Sequence, residues 1–401
     1  MAGAALARVQ MSAVSRRRES FRPLPTLALF STDQPGRRSD HGGGRIRVSL
    51  RAVAANYRAM CDQVAPAACA AVVKADAYGL GAARIAPALY DAGCRAFFVA
   101  HLFEAVDLRR VLPADAELFV LNGLAPSAEY AALAAGAIPV LNSREQVEGW
   151  ARLGRAVGRP LAAAIQFDTG MSRLGLPPED AAWAFAPEGL IRWIEPRLIL
   201  SHLAVADTPG HAGNARQRQA FERILAHAPQ GVARSLANSA GCWLGQDYHY
   251  DLCRVGAALF GLDASPSAKA MQPVVEVTGR VIQTRAVPAG AGVGYGWAVT
   301  AAKGMRLATI GVGYADGWPR QLSAVGGAAF EGRLLPFVGR ISMDSLVVDV
   351  SALPPNALKP GDHVELLGPN RPPEQLALEG ATIDYEVFAR LGRRLCREYV
   401  S

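Results

Sequence analysis

The sequence predicts an α/β barrel followed by a mainly β domain, and three observations carry that prediction. Between residues 69 and 262, eight short apolar runs alternate with stretches that read as amphipathic helices. Each run ends on a polar or charged residue. From about residue 268 the pattern gives way to β-branched segments separated by Gly and Pro.

The eight runs are CAAVV, AFFVA, ELFVL, AIPVL, LAAAIQF, RLILS, ARSLA and a weaker DLCRVGAALFG. Intervening stretches such as REQVEGWARLG and ARQRQAFERILAHA place apolar residues three and four apart, on one helical face. Short buried strands alternating with such helices indicate parallel strands with crossover helices, and eight units suggest closure into a (β/α)8 TIM-type barrel over residues 45–267. Lys74, His101, Asn122, Asn142, Asp168, His202, Asn238 and Arg254 stand at or just after the strand ends. A parallel barrel brings all those ends to one face, so the eight polar residues converge on a candidate site. Beyond 268, VVEVTGRVIQTRAV, MRLATIGVGYADGW, FEGRLLPFVGRISM, SLVVDV and DHVELLG read as antiparallel strands, with a helix near EVFARLGRRLC closing the chain at 401.

Composition narrows the function classes. The 401 residues suffice for two domains with separate cores, and 51% apolar content with 40 Gly and 26 Pro is that of a globular protein rich in turns. No apolar run approaches the ~18 residues of a membrane span. The formal charge is +7, but residues 1–44 supply +4 of it, so a basic face for nucleic acid is not indicated. That Arg-, Ser- and Gly-rich head is read as a disordered extension, with only a faint likeness to a targeting signal, because its apolar part is short and broken by proline. Six scattered cysteines without a C-x-x-C pair or a nearby His read as reduced thiols of a cytoplasmic protein, with no metal site.

Nine stretches occur in order: VVKADAYGLG (72–81), FDTGMSRLG (167–175), SHLAVAD (201–207), NSAG (238–241), RVGAALFG (254–261), VGYGW (293–297), GVGYADGWPR (311–320), VGRISMD (338–344) and IDYE (383–386). Together they resemble the motifs of the alanine racemase family, over roughly residues 45–401. That resemblance implies a pyridoxal 5'-phosphate enzyme of fold type III that interconverts L- and D-alanine by a two-base mechanism, supplying D-alanine for peptidoglycan.

The chemistry explains the residue types. A lysine amine can condense with the cofactor aldehyde, and racemisation needs two bases flanking one carbon. The resemblance assigns these parts to Lys74, which also anchors the cofactor, and to Tyr295 on the opposite face. A tyrosine with an ordinary pKa of about 10 needs help to act as a base, and His202 matches the histidine that hydrogen-bonds it. Arg254 matches the arginine facing the pyridine nitrogen, which as a cation leaves the ring unprotonated. Tyr78, Asn238, Ser239, Gly256, Ala257 and Tyr385 match the residues that hold the cofactor, mostly around its phosphate. Arg173 and Met343 match those that receive the substrate carboxylate, and Asp207, Tyr314, Arg320 and Arg340 an outer ring at the substrate entrance. Gln166 departs from the family, where a carbamylated lysine braces the arginine; the expectation here is that a neutral amide oxygen positions Arg173.

The resemblance further implies a homodimer with composite sites, Lys74 from one chain facing Tyr295 and Met343 of the other. Three alternatives stand beside this reading: a broader amino-acid racemase acting on serine or larger residues, a non-catalytic pyridoxal-phosphate carrier, and a decarboxylase on a related barrel. A carrier would lack the β domain and Tyr295. A decarboxylase would need a late acidic motif bearing a cysteine, which neither Cys253 nor Cys396 provides.

Overall fold

The computed structural model describes residues 42–262, 265–269 and 271–401. Most of the head segment, residues 1–41, lies outside the described residues. The eight predicted runs form eight parallel strands: Ala68–Val72, Ala96–Val99, Glu117–Val120, Ala137–Leu141, Leu161–Gln166, Ile194–Leu200, Ala233–Ser235 and Leu252–Val255. Each pairs with its sequence neighbour as far as the seventh, and the eighth returns to the first, with Cys69 beside Cys253 and Ala71 beside Val255. The seventh and eighth strands are joined by single bonds rather than a ladder: Asp251 N–H to the Arg234 carbonyl at 3.1 Å and Arg254 N–H to the Ala237 carbonyl at 3.0 Å.

Side chains alternate across the barrel wall, as strand geometry requires. Ala70, Val72, Phe98, Phe119, Val140, Ala164, Leu198 and Leu200 fill the interior, where Phe98 and Phe119 stack with ring centroids 4.6 Å apart. Their neighbours Ala71, Phe97, Val99, Leu118, Val120 and Ile165 face outward under the helices. The helix Arg144–Val157 shows how the sequence specifies this layer: Ser143 caps it by accepting the Gln146 N–H, and Val147, Trp150, Ala151 and Gly154 form its buried stripe. Leu50–Val64 precedes the first strand and packs on the turn Ala257–Phe260, beside the eighth. Buried Asn56 secures it, donating to the Leu259 and Gln272 carbonyls and accepting the Gln272 N–H.

The second unit is a mixed eight-stranded sheet whose spine is the long strand Val275–Val287. Two of its members depart from the sequence reading. Gly44–Ser49 lies within the segment read as barrel, yet pairs antiparallel with Val275–Val287, because its alternation buries Ile46 and Val48 in that sheet. The chain also closes on a strand and not on a helix: the helix near EVFARLGRRLC is only Asp384–Ala389, and Cys396–Val400 then runs parallel to Gly44–Ser49. A two-stranded hairpin, Gly292–Val293 with Val299–Thr300, projects the turn Tyr295–Trp297. Among the described residues no helix is long and apolar enough to cross a membrane.

Candidate active site

Lys74 follows the first strand directly, where the Val73 N–H still reaches the Phe98 carbonyl at 2.9 Å. The next four residues, Ala75, Asp76, Ala77 and Tyr78, all take left-handed backbone angles, with φ between 53° and 57°. For L-residues this conformation costs roughly 1–2 kcal/mol each, so the turn persists only because its surroundings hold it. Glu104 accepts the Ala75 N–H at 2.6 Å and, with its other oxygen, those of Ala100 and His101. Asp76 accepts the Ala82 N–H at 2.7 Å. From the β unit, Arg397 donates twice to the Gly79 carbonyl and the Tyr399 hydroxyl donates to that of Leu80. Sequence reasoning missed Glu104, although an acid three residues after the strand-end His101 is a helix-capping signal.

The charges around Lys74 set its chemistry. Burial pulls its amine below the usual lysine range, nearby Arg173 and Arg254 push it the same way, and Glu104 opposes them. Arg254 is fully buried, which lowers it to about 10 and leaves it a cation at neutral pH. Its Nη1 donates to Ser235 Oγ at 2.5 Å, and its Nη2 donates to the Ser201 carbonyl at 2.7 Å and to His202 Nδ1 at 3.1 Å. Burial, then Arg254, Arg173 and Lys74, drive His202 down to about 3. The imidazole is therefore neutral, and since Nδ1 accepts from a guanidinium, its proton sits on Nε2 as an outward donor.

Beside these lies a second cluster without side-chain cations. The Tyr78 ring is wedged between Phe260 at 4.9 Å and Tyr385 at 6.2 Å, and burial raises its hydroxyl well above the usual tyrosine range. Ser239 Oγ accepts the Gly256 N–H at 2.9 Å, and Ala257 starts the following turn. A Cβ at Gly256 would fall 2.4 Å from the Tyr78 hydroxyl, so this backbone can lie against the tyrosine only as glycine. Tyr385 lies in the first turn of the helix Asp384–Ala389 and is raised to about 12 by burial, then by the charges of Asp384 and Asp207. Asn238 turns its Oδ1 to the Gly241 N–H at 2.9 Å, bracing the loop that presents Ser239.

Arg173 differs from expectation. Gln166 is buried, but its Nε2 donates to the Leu174 carbonyl at 3.2 Å, and no hydrogen bond links its amide oxygen to Arg173. The loop is instead stiffened by Asp168, whose carboxylate accepts the N–H groups of Gly170, Met171 and Ser172. A short neutral amide reaches the loop backbone next to it more readily than the guanidinium beyond.

The remaining predicted residues gather on the β unit. The backbones at Gly294 and Gly296 abut Arg340, the Ala315 N–H donates to the Met343 carbonyl, and the Tyr314 N–H to that of Ser342. Arg320 opens a short turn whose Ser323 hydroxyl accepts the Ile341 N–H. This set stays apart from the barrel set: among the described residues no hydrogen bond or ion pair joins Tyr295 or Met343 to Lys74, Arg173 or His202. Tyr295 is 70% exposed, Trp297 76%, Met343 52% and Tyr314 42%. These are large side chains with much apolar surface left in solvent. Among the described residues no group of three or more His, Cys, Asp or Glu side chains is placed to hold a metal ion.

Comparison with known proteins follows the same division. The family model for the alanine racemase N-terminal domain matches residues 48–264, and that for the C-terminal domain residues 274–399. The chain is 48% identical over 385 residues to an alanine racemase of Brucella ovis, covering 92% of this chain and 96% of that one. It is 45% identical to the catabolic alanine racemase of Mesorhizobium japonicum, covering 94% and 98%. Among solved structures, alanine racemase from Bartonella henselae with covalently bound pyridoxal phosphate aligns at a TM-score of 0.85 and 43% identity, over 89% of this chain and 99% of that one. Alanine racemase from Streptomyces coelicolor A3(2) aligns at 0.84 and 32%, over 89% and 98%.

Proposed function

The chain belongs to the alanine racemase family, and we propose that it interconverts L- and D-alanine with Lys74 on one face of the substrate and Tyr295 of a second copy on the other. Membership makes it a pyridoxal-phosphate-dependent isomerase. The division of labour among residues is the reading that its geometry supports. The observation that carries it is the separation of the two halves: a buried, cationic barrel site with one base, and an exposed aromatic surface bearing the other.

The barrel residues suit the cofactor. Lys74 offers an amine held below its usual range, Arg254 a buried cation, and the Tyr78, Ser239 and Gly256 cluster a hydroxyl and backbone cradle of the sort that holds phosphate without lysine or arginine. Pyridoxal phosphate, when bound, supplies an aldehyde for the lysine and an electron-withdrawing ring that acidifies the substrate α-proton. Lys74 Nζ then takes or returns a proton on its own face. Tyr295 Oη does so on the other, with His202 Nε2–H poised to hydrogen-bond the developing phenolate. Arg254 keeps its proton at neutral pH, so facing the ring nitrogen it would leave that nitrogen unprotonated and restrain charge delocalisation, which disfavours side reactions. Arg173 and the Met343 backbone N–H receive the substrate carboxylate, and Arg320 and Arg340 attract it to the mouth.

This reading includes a homodimer with composite sites, in the cytoplasm, whose D-alanine serves peptidoglycan. The test is the optical rotation of L-alanine incubated with protein and pyridoxal phosphate. Decay to zero supports racemisation; an unchanged signal from protein with cofactor bound defeats it.

A further inference from the structure

We propose that Gln217, on the helix Ala212–Leu225, is a positioning residue for racemisation, fixing both His202 and the loop that leads to Arg173 through a closed ring of hydrogen bonds. This inference rests on the activity assigned above, although the ring itself is independent of it. Gln217 lies on the helix's buried stripe with Gly213, Asn214, Phe221 and Ile224. An amide there is costly unless each polar group is paired. All are paired: Nε2 donates to the His202 carbonyl at 2.9 Å and to Thr169 Oγ1 at 3.2 Å, and Oε1 accepts the Ala204 N–H at 2.8 Å.

None of these partners belongs to the helix. They belong to the two loops that carry site residues, and they connect. Thr169 Oγ1 bonds Ser201 Oγ at 2.8 Å, the Ser201 carbonyl accepts from Arg254 Nη2, and that same nitrogen donates to His202 Nδ1. The path Gln217–Thr169–Ser201–Arg254–His202–Gln217 is a ring. His202 is thereby gripped twice, through its carbonyl by Gln217 and through its imidazole by Arg254. Thr169 sits beside Asp168, whose carboxylate freezes the turn before Arg173, so the ring also anchors that loop. Opening the ring loosens two functional side chains that Gln217 never touches.

The test is Gln217→Leu, which keeps the volume and removes all three bonds, in holoenzyme. We expect the visible band of bound cofactor to persist and kcat to fall about ten- to a hundredfold, the penalty of an ångström-scale misplacement. A merely structural role would not alter His202, so the second readout is its imidazole signal in 15N-histidine-labelled protein. Burial, then the charges of Arg254, Arg173 and Lys74, suppress its protonation, and in the variant, with the imidazole less tightly enclosed, it should begin to titrate at higher pH. Thr169→Val opens the ring at Thr169, removing its bonds to Gln217 and Ser201 while Gln217 keeps the His202 carbonyl, and should shift the same signal in the same direction if the leucine variant does not accumulate. Full activity with an unmoved His202 signal, or activity lost only in proportion to folded protein, would overturn the proposal. If wild-type protein failed to racemise alanine while the His202 signal still moved, the ring would stand and the assigned activity would fall.

Discussion

Gly256→Ala tests the phosphate cradle at a single methyl group. Gly256 has φ −124° and ψ −77°; its φ is not the left-handed one that glycine alone takes readily, so the penalty developed here is that of contact. The new Cβ would lie 2.4 Å from the Tyr78 hydroxyl, 3.2 Å from its Cζ and 3.3 Å from Val72 Cβ. Restoring ordinary contact moves the hydroxyl by about 1 Å, and Phe260 and Tyr385 flank the ring that must shift. Overpacking of this kind costs about 1–3 kcal/mol of stability. Displacing a hydroxyl from a charged phosphate forfeits roughly 1.5–3 kcal/mol, which weakens cofactor binding about tenfold to 150-fold. The assay is titration of cofactor-stripped protein with pyridoxal phosphate, alongside thermal melting. Adding Tyr78→Phe should recover part of the melting temperature, since the sub-3 Å contact disappears while those to Cζ and Val72 remain, but not the affinity. Binding within twofold of wild type in the single variant would refute the cradle.

Three further outcomes follow from the same geometry. Lys74→Ala should abolish the visible absorbance of covalently held cofactor; a band that persists without added amine would place the anchor elsewhere. His202 is held near 3 in the folded chain against about 6.5 when unfolded, so the unfolded state gains a proton first as pH falls. The sign is loss of stability on acidification, by up to about 1.4 kcal/mol per pH unit below 6.5, and His202→Asn should flatten the urea midpoint between pH 5 and 6.5. Racemisation should be indifferent to bicarbonate, because the Gln166 amide cannot form a carbamate; stimulation by bicarbonate would contradict this.

The barrel was legible because its strands announce themselves twice, by an apolar run and by the polar residue that ends it. The same logic located Lys74, His202 and Arg254, since a parallel barrel leaves strand ends nowhere else to point. Other features were illegible for physical reasons. Nothing in Ala75–Tyr78 signals a left-handed turn; it is imposed by Glu104, Arg397 and Tyr399, which lie up to some 320 residues away in sequence. Gln217 carries no signal of its own, because a glutamine's partners cannot be read from spacing. Gly44–Ser49 and Cys396–Val400 are short strands whose sheet is assembled from the two ends of the described chain, a pairing that local pattern does not encode.

The proposed composite site admits a test that stability effects cannot imitate. Lys74→Ala and Tyr295→Phe chains should each form inactive dimers. If Lys74 and Tyr295 of one site come from different chains, a mixed dimer holds one doubly damaged site and one intact site. Random reassortment of equal amounts makes half the dimers mixed, so activity should recover to about a quarter of wild type. Were both bases supplied by one chain, every site in the mixture would still lack one of them, and nothing would return. Recovery near a quarter therefore requires exchange across an interface, and the proposed dimer would place that interface at the exposed Tyr295, Trp297 and Met343. Trp297→Asp in both chains should remove the recovery by blocking association, since an unpaired carboxylate buried between subunits costs several kcal/mol.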